Sequence, residues 1–362
     1  MIPCPIRTNM NADIDEAAGP ASVFASPAVL RRAFERKLLG LLEHDGLGVF
    51  ILVLANASFE RATFARLRDP LARIFAEWEQ RFRDHDEREF AAAADDVEVF
   101  RRLCCHGFDN LMATRWRRLG PWELQFNQLR AFRPPRVSGA PVSHLEQSFD
   151  PDGFHFNKPF LRKEIFWEGN LGGAPVRLLY NKFPFAEMHG LLVPHPEANK
   201  PQYLTSDDHL LVWEISDQLG RGLPDIGFGY NAYGAYASVN HLHFQMFMRS
   251  SGRYTIESEQ WLHNGGNEPF PLAVQRHSDR DSAWSALSDL HAMGHTYNLV
   301  YRPGSLYIVA RAMQGAVAHS DWSSGFAWSE VAGAVTTFDE ADFERLSQGD
   351  IAAELSRLTV RP

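Results

Sequence analysis

The stretch SVNHLHFQMFM, residues 238–248, sets two imidazoles and an amide at alternate positions, His241, His243 and Gln245. Leu242, Phe244, Met246 and Met248 take the places between and beyond them. In a β-strand successive side chains point to opposite faces. The spacing therefore predicts a half-buried strand, with a polar row on one face and hydrocarbon against a core on the other. Such a row has three chemical uses. Two imidazoles at i and i+2 can ligate a metal. A histidine can be a satisfied structural residue. A neutral imidazole can be a nucleophile, held in one tautomer by a hydrogen bond to its other nitrogen.

The surroundings weigh on that choice. The preceding GFGYNAYGAYASVN is small and glycine-rich. Glycines such as Gly234 let backbone approach a ligand and offer N–H groups to phosphate oxygens. Asn231, Ser238 and Asn240 add neutral hydrogen-bonding groups, which suit an anion better than a cation. His189, His195 and His209 lie elsewhere, but no Cys pair or His–Glu spacing completes a ligand set, so no metal site is expected. Lys158 and Lys182 can each neutralise phosphate or be surface lysines. His195, in VPHPE, can touch substrate or be an ordinary loop residue at a strand end.

These residues need elements to position them. VRLLYNKF and HGLLVPH read as short strands bounded by turn residues. A helix is predicted at about 206–220, with Thr205 or Ser206 as its cap. The order is strand, turn, strand, helix, strand, strand, as in an antiparallel sheet carrying a helix. A weaker echo follows: TYNLVYRPGSLYIVARAMQG is again strand, Pro-Gly turn, strand, and SSGFAWSEVAGAVTTF resembles a helix start. It has no His-x-His, so it reads as a degenerate repeat. Upstream, residues 27–100 are mostly helical in pattern, opening with Ser26 as N-cap and Pro27 at the first helical position. The Pro-, Gly- and Ser-rich 134–153 reads as a long loop. The expected fold class is α+β. Its parts are a loose tail at 1–25, an N-terminal helical region at 26–110, a catalytic half at 111–260 and a degenerate half at 261–362.

Composition is that of an ordinary globular protein: 362 residues, 45% hydrophobic, 22% charged. A net charge of −9 argues against a nucleic-acid binder. The longest apolar run, GVFILVLANA at 48–57, is too short to span a bilayer. Three cysteines, two of them adjacent, make a poor disulfide or zinc framework and suggest a cytoplasmic protein. Cys104-Cys105-His106 reads as buried thiol. Residues 101–136 hold eight arginines (101, 102, 115, 117, 118, 130, 133, 136) against Asp109 and Glu123. That surplus suits a small polyphosphate and equally a solvated surface.

His241-Leu-His243-Phe-Gln245 resembles the His-x-His-x-Gln signature of the transferase branch of the histidine-triad superfamily. GYNAYGAYASVNHLHFQ is most similar to its GDP-hexose phosphorylases, the GDP-D-glucose and GDP-L-galactose types. FHFNK at 154–158, HGLLVPH and TYNLVY resemble further segments of that group, and YNKFPF a segment of the uridylyltransferases. The resemblance covers roughly 120–335. It implies two histidine-triad-like halves with antiparallel sheets and packed helices, the second without a catalytic strand. It implies His243 as the nucleophile that accepts a nucleoside monophosphate, His241 as its orienting neighbour through backbone, and Gln245 as a ligand of a phosphate oxygen. Asn231, Ser238 and Asn240 fall where that group lines the phosphates. The uridylyltransferases carry a Pro between the Asn and the first His and a Gly before the Gln; Asn240 directly precedes His241 here and Phe244 replaces the Gly, which moves the expectation away from uridylyl transfer.

The expected reaction is phosphorolysis of a nucleoside diphosphate sugar, GDP-hexose favoured, giving nucleoside diphosphate and sugar 1-phosphate. A dinucleoside polyphosphate phosphorylase or adenylyltransferase, and a non-catalytic nucleotide-binding protein, are the alternatives. The expected partners are the nucleotide sugar and inorganic phosphate, with no nucleic acid and no membrane, and a homodimer is allowed. No cofactor is required, although Mg²⁺ can accompany the substrate phosphates.

Overall fold

A computed structural model describes residues 23–44, 46–84, 90, 92–134 and 142–360. The expected tail lies outside them as far as residue 22, as do Cys4, Arg136 and part of the predicted long loop.

Four helices come first: α1 (Pro27–Gly40), α2 (Leu47–Phe59), α3 (Arg61–Asp84) and α4 (Ala94–His106). The Ser26 side chain accepts the Val29 N–H at 3.3 Å, so α1 starts where its cap predicts. The apolar run 48–57 lies within α2, which is buried on every side and forms the centre of the helical layer. Then follow β1 (Arg115–Leu119), β2 (Trp122–Phe126), α5 (Gln128–Ala131), β3 (Ile165–Leu171), β4 (Ala174–Tyr180) and β5 (Glu187–Pro194). Next is α6 (Ser206–Gly220), whose cap is Thr205, accepting the Asp208 N–H. The remainder is β6 (Ile226–Asn231), β7 (Phe244–Met248), β8 (Val274–His277), α7 (Arg280–Ala292), β9 (Thr296–Arg302), β10 (Ser305–Arg311), α8 (Trp328–Val331), β11 (Ala334–Thr337), α9 (Glu340–Arg345) and α10 (Gln348–Arg357).

Eight strands form one antiparallel sheet in the order β3-β4-β5-β7-β6-β9-β10-β8. The β6–β9 pairing joins the strands of the expected first and second halves into this single sheet. One face carries Leu178, Leu192, Phe244, Met246, Phe228, Leu299, Tyr301 and Ile308, which share one core with α1, α2, α4, α6 and α7. The N-terminal helices are thus part of the main body.

The opposite face is covered in two separate patches. Over β4 and β5, Leu179 and Val193 pack with Phe156, Leu161 and Val239. Over β9 and β10, Val300, Tyr307 and Val309 pack with Trp122, Leu124, Phe326, Trp328 and the C-terminal helices. This second cover includes a small sheet in the order β1-β2-β11, with β11 parallel to β2. Gln245 pairs with Leu191 on one side and Gly229 on the other, so it belongs to this face, in the seam between the two covers.

Several expectations are corrected. The strand predicted from residue 238 begins only at Phe244. The backbone before it bonds elsewhere: Leu242 N–H to the Lys200 carbonyl at 2.8 Å, and His243 N–H to the Gln202 side chain at 2.9 Å. Nor is the stretch half-buried; residues 241–249 are all buried. The echo holds for the β9–β10 hairpin but its helix, α8, lasts four residues. Gly333, at φ +98°, ends it, and the following AVTT run forms β11. Cys105 is exposed and Cys104 half-buried, with its thiol pushed up to about 12 by desolvation. The arginine surplus fastens the chain to itself. Arg101 and Arg102 pair with Glu98, Arg115 with Glu340 and Glu344, and Arg118 with Glu123. Arg117 donates to carbonyls at the end of α9, Arg130 donates to the Phe183 carbonyl at 2.5 Å, and Arg133 lies over the Phe183 ring.

The glycines of β6 serve packing as well. A Cβ at Gly229 would stand 2.2 Å from the Trp328 ring, so only glycine lets that indole lie on the sheet. Gly229→Ala should therefore lose on the order of 1–3 kcal/mol of stability, the ordinary penalty of overpacking. Urea unfolding measures it; an unchanged midpoint would mean that Trp328 does not lie on Gly229.

Candidate active site

His243 has a defined tautomer. Its Nδ1 lies 2.8 Å from the His241 carbonyl oxygen, which can only accept, so Nδ1 carries the proton and Nε2 keeps its lone pair. His241 is set the other way: its Nδ1 accepts the Phe156 N–H at 3.1 Å. The Phe156 ring stacks on His241 at 5.6 Å and meets His243 edge-on at 5.0 Å. Gln202, which no sequence signal singled out, clamps the same backbone. Its Oε1 accepts the His243 N–H, and its Nε2 donates to the carbonyls of Asn231, at 2.9 Å, and His243, at 3.3 Å. Extending the β6–β7 register puts Asn231 opposite His243, so the Gln202 amide replaces the ladder bonds there.

Gln245 is turned by two neighbours. Its Oε1 lies 2.9 Å from the Trp328 indole nitrogen and 3.1 Å from His189 Nε2.

Desolvation keeps the three imidazoles neutral. It lowers His243 to about 4 and His241 and His189 to about 3, with neighbouring charges adding to the effect at the last two. A neutral, desolvated imidazole with a free Nε2 is a nucleophile able to approach a phosphoanhydride without charge repulsion.

Asn231 Oδ1 accepts from Asn298 Nδ2 and from the Trp328 N–H, both at 2.8 Å. Asn298 in turn takes a bond from buried Arg311 at 3.2 Å. Asn240 Oδ1 accepts the Gln202 N–H, and its Nδ2 donates to the carbonyls of Gln147 and Ser148, tying three segments together. Gly234, at φ +86°, packs on Met313 and its carbonyl accepts the Gln314 N–H at 2.7 Å. Ser238 is exposed. Lys158 donates to the carbonyls of Pro151 and Asp152 and so steadies the loop that carries Phe156. Lys182 pairs with buried Asp96 of α4 at 2.6 Å. His195, left-handed at φ 44°, caps a single 3₁₀ turn after β5. The structure therefore brings His241, His243, Gln245, Asn231 and Asn240 together around one backbone crossing. Lys182 is engaged with the N-terminal helices.

Residues 122–247 match a family model described as GDPGP1-like, N-terminal domain. The matched stretch runs from β2 through Phe247 and contains His241, His243 and Gln245. GDP-D-glucose phosphorylase 1 of Danio rerio is 36% identical over 118 residues, 32% of this chain and 33% of that protein. The Homo sapiens protein of the same name is 34% identical over 118 residues, 31% of this chain and 29% of its own. GDP-L-galactose phosphorylase 1 of Arabidopsis thaliana is 28% identical over 122 residues, 29% of this chain and 27% of its own. The chain thus matches about a third of the length of these curated relatives. Yeast Ap4A phosphorylase Apa2 is a solved structure with 16% identity, covering 73% of this chain and 94% of its own, at a TM-score of 0.48. Among the described residues, no group of three or more His, Cys, Asp or Glu side chains is arranged to hold a metal ion, and no helix is long and apolar enough to cross a membrane.

The buried imidazoles of the site make stability depend on pH. In the unfolded chain they regain an ordinary value near 6.5. Between there and about 4 the unfolded state binds more protons than the folded one. Their contribution is then fully present above pH 6.5 and is lost as pH falls toward 4. Urea unfolding at a series of pH values should show stability dropping across this window. A profile flat to about pH 4.5 would contradict neutral burial of these rings.

Proposed function

We propose that the chain is a nucleotidyltransferase that cleaves a nucleoside diphosphate hexose with inorganic phosphate. The observation that carries this reading is the fixed tautomer of His243, whose Nδ1–H is held by the His241 carbonyl so that Nε2 keeps its lone pair. His243 Nε2 forms a bond to the α-phosphorus while the bridging P–O bond breaks. The electron pair stays on the leaving oxygen, and sugar 1-phosphate departs. As Nε2 becomes bonded, positive charge spreads onto the ring, and the hydrogen bond from Nδ1 to the His241 carbonyl strengthens. An oxygen of inorganic phosphate then attacks the same phosphorus, the P–N bond breaks, and nucleoside diphosphate leaves with neutral His243 restored. The first leaving group departs as a phosphate and the second as the neutral imidazole of His243, so no general acid is needed in either step, and an amide N–H aimed at the phosphoryl oxygens is sufficient at position 245. The names of the relatives supply the substrate class, a GDP-hexose. The mechanism requires no protein-bound metal; Mg²⁺ enters on the substrate phosphates. The setting is the cytoplasm, where Cys104 and Cys105 remain thiols.

His243→Ala should lower phosphorolysis of GDP-hexose by more than about 10³-fold, roughly 4 kcal/mol of barrier, with the fold retained. Near-normal turnover would contradict the mechanism. Prolonged chelation followed by dialysis should leave activity with added Mg²⁺ unchanged; a stoichiometric zinc whose removal inactivates the protein would reopen the metal reading.

The acceptor is tested at Gln245. Water benefits from a base when it attacks a nucleotidyl-histidine, whereas phosphate arrives ionised, and an amide is no base. The wild type should release nucleoside diphosphate far faster than monophosphate at millimolar phosphate, and Gln245→His should narrow that ratio. Monophosphate alone, at every phosphate concentration, would make the protein a hydrolase.

A further inference from the structure

The geometry points to Trp328 and His189 as positioning residues that lock the Gln245 amide with its NH₂ group turned toward the transferring phosphoryl group. This inference rests on the phosphorolysis reading and adds to it two residues that do not belong to the histidine motif.

The Trp328 indole nitrogen can only donate, and it lies 2.9 Å from Gln245 Oε1. His189 is neutral and fully buried, so it carries one ring proton. Its Nδ1 accepts the Phe185 N–H at 3.3 Å, which places that proton on Nε2. Nε2 is 3.1 Å from the same Gln245 oxygen. The Asn181 amide nitrogen, 3.3 Å from Nε2, is itself a donor and offers no competing acceptor. Two donors therefore converge on one carboxamide oxygen. The flipped amide would set two N–H groups against an NH₂ group, so only one orientation satisfies the buried cluster.

Trp328 is held for this task from several sides. Its ring stacks on Phe247 at 4.8 Å and 15°, lies over Gly229, and meets Tyr254 and Phe185. Its backbone N–H donates to Asn231 Oδ1. Asn231 is fixed by Asn298, and Asn298 by Arg311 of β10. Thus the C-terminal part of the chain, which has no His-x-His of its own, supplies a contact on which the amide of the first half depends. A freely rotating Gln245 would present its oxygen to the phosphoryl oxygens for part of the time, where it repels them.

The test is a double-mutant cycle read by steady-state phosphorolysis of GDP-glucose. Trp328→Phe keeps an aromatic ring over Gly229 and removes the N–H. Alone it should lower kcat about tenfold and leave KM for the nucleotide sugar within about twofold. In the Gln245→Ala background it should change kcat by less than about twofold, because the group it positions is gone. A second pair covers the case in which Trp328→Phe fails to fold. His189→Leu should lower kcat, and His189→Gln, which restores an N–H donor, should recover most of it. Additive effects in the cycle, or equal losses in the two His189 variants, would reduce both residues to packing and overturn the proposal. These outcomes leave phosphorolysis by the wild type intact, whereas a wild type without phosphorolysis would overturn the functional reading and this inference with it.

Discussion

The hydrogen bond from His243 Nδ1–H to the His241 carbonyl, 2.8 Å long, decides which ring nitrogen is available for chemistry. A free imidazole exchanges tautomers, and some of its encounters would present the wrong edge. Here the acceptor is a backbone oxygen two residues away, and that carbonyl can face the ring only because residues 240–243 leave the sheet. Gln202 holds them out by taking the His243 N–H, and Asn240 and Lys200 anchor the rest. The same departure from strand geometry also makes the backbone N–H of Phe156 a partner for His241, whose ring would otherwise be buried with an unmatched acceptor.

The large sheet explains why this arrangement sits where it does. One face is sealed by helices, so Phe244, Met246 and Met248 fix the register of β7. The other face is covered by two apolar patches that are separate clusters. Between them lie the buried polar groups of Gln245 and His189. Burial there has a cost: three imidazoles are held far below their ordinary range, and Arg311 is lowered to about 10. Every one of them has a partner that suits its neutral or charged form, which is how the cluster is tolerated and why it has a single arrangement.

Much of this was legible at short range and little at long range. Alternation put Gln245 on the face opposite Phe244 and Met246, and Thr205 and Ser26 marked helix starts, because these depend on neighbours within a few residues. Trp328 was invisible as a partner of Gln245: it is 83 residues away and stands at the start of a helix of one turn. Gln202 carried no signal, since an amide's partners are set by the fold. Lys182 looked free to meet a phosphate, yet its carboxylate, Asp96, comes from a helix 86 residues upstream. The glycines of β6 were read as room for a ligand, and at Gly227 and Gly229 they are room for Phe247 and Trp328. Sequence spacing describes what shares a face; it does not say what covers that face.

The central claim is that His243 Nε2 takes up the nucleotide. The direct measurement is intact-mass spectrometry of the wild type mixed with GDP-glucose in the absence of phosphate, followed by peptide mapping under alkaline conditions that preserve phosphoramidates. The account predicts a mass increase of one guanylyl group (guanosine monophosphate less water) per chain, located on His243, labile to acid and discharged as GDP when phosphate is added. An unmodified protein that still turns over the substrate, or an adduct on any other residue, would contradict it.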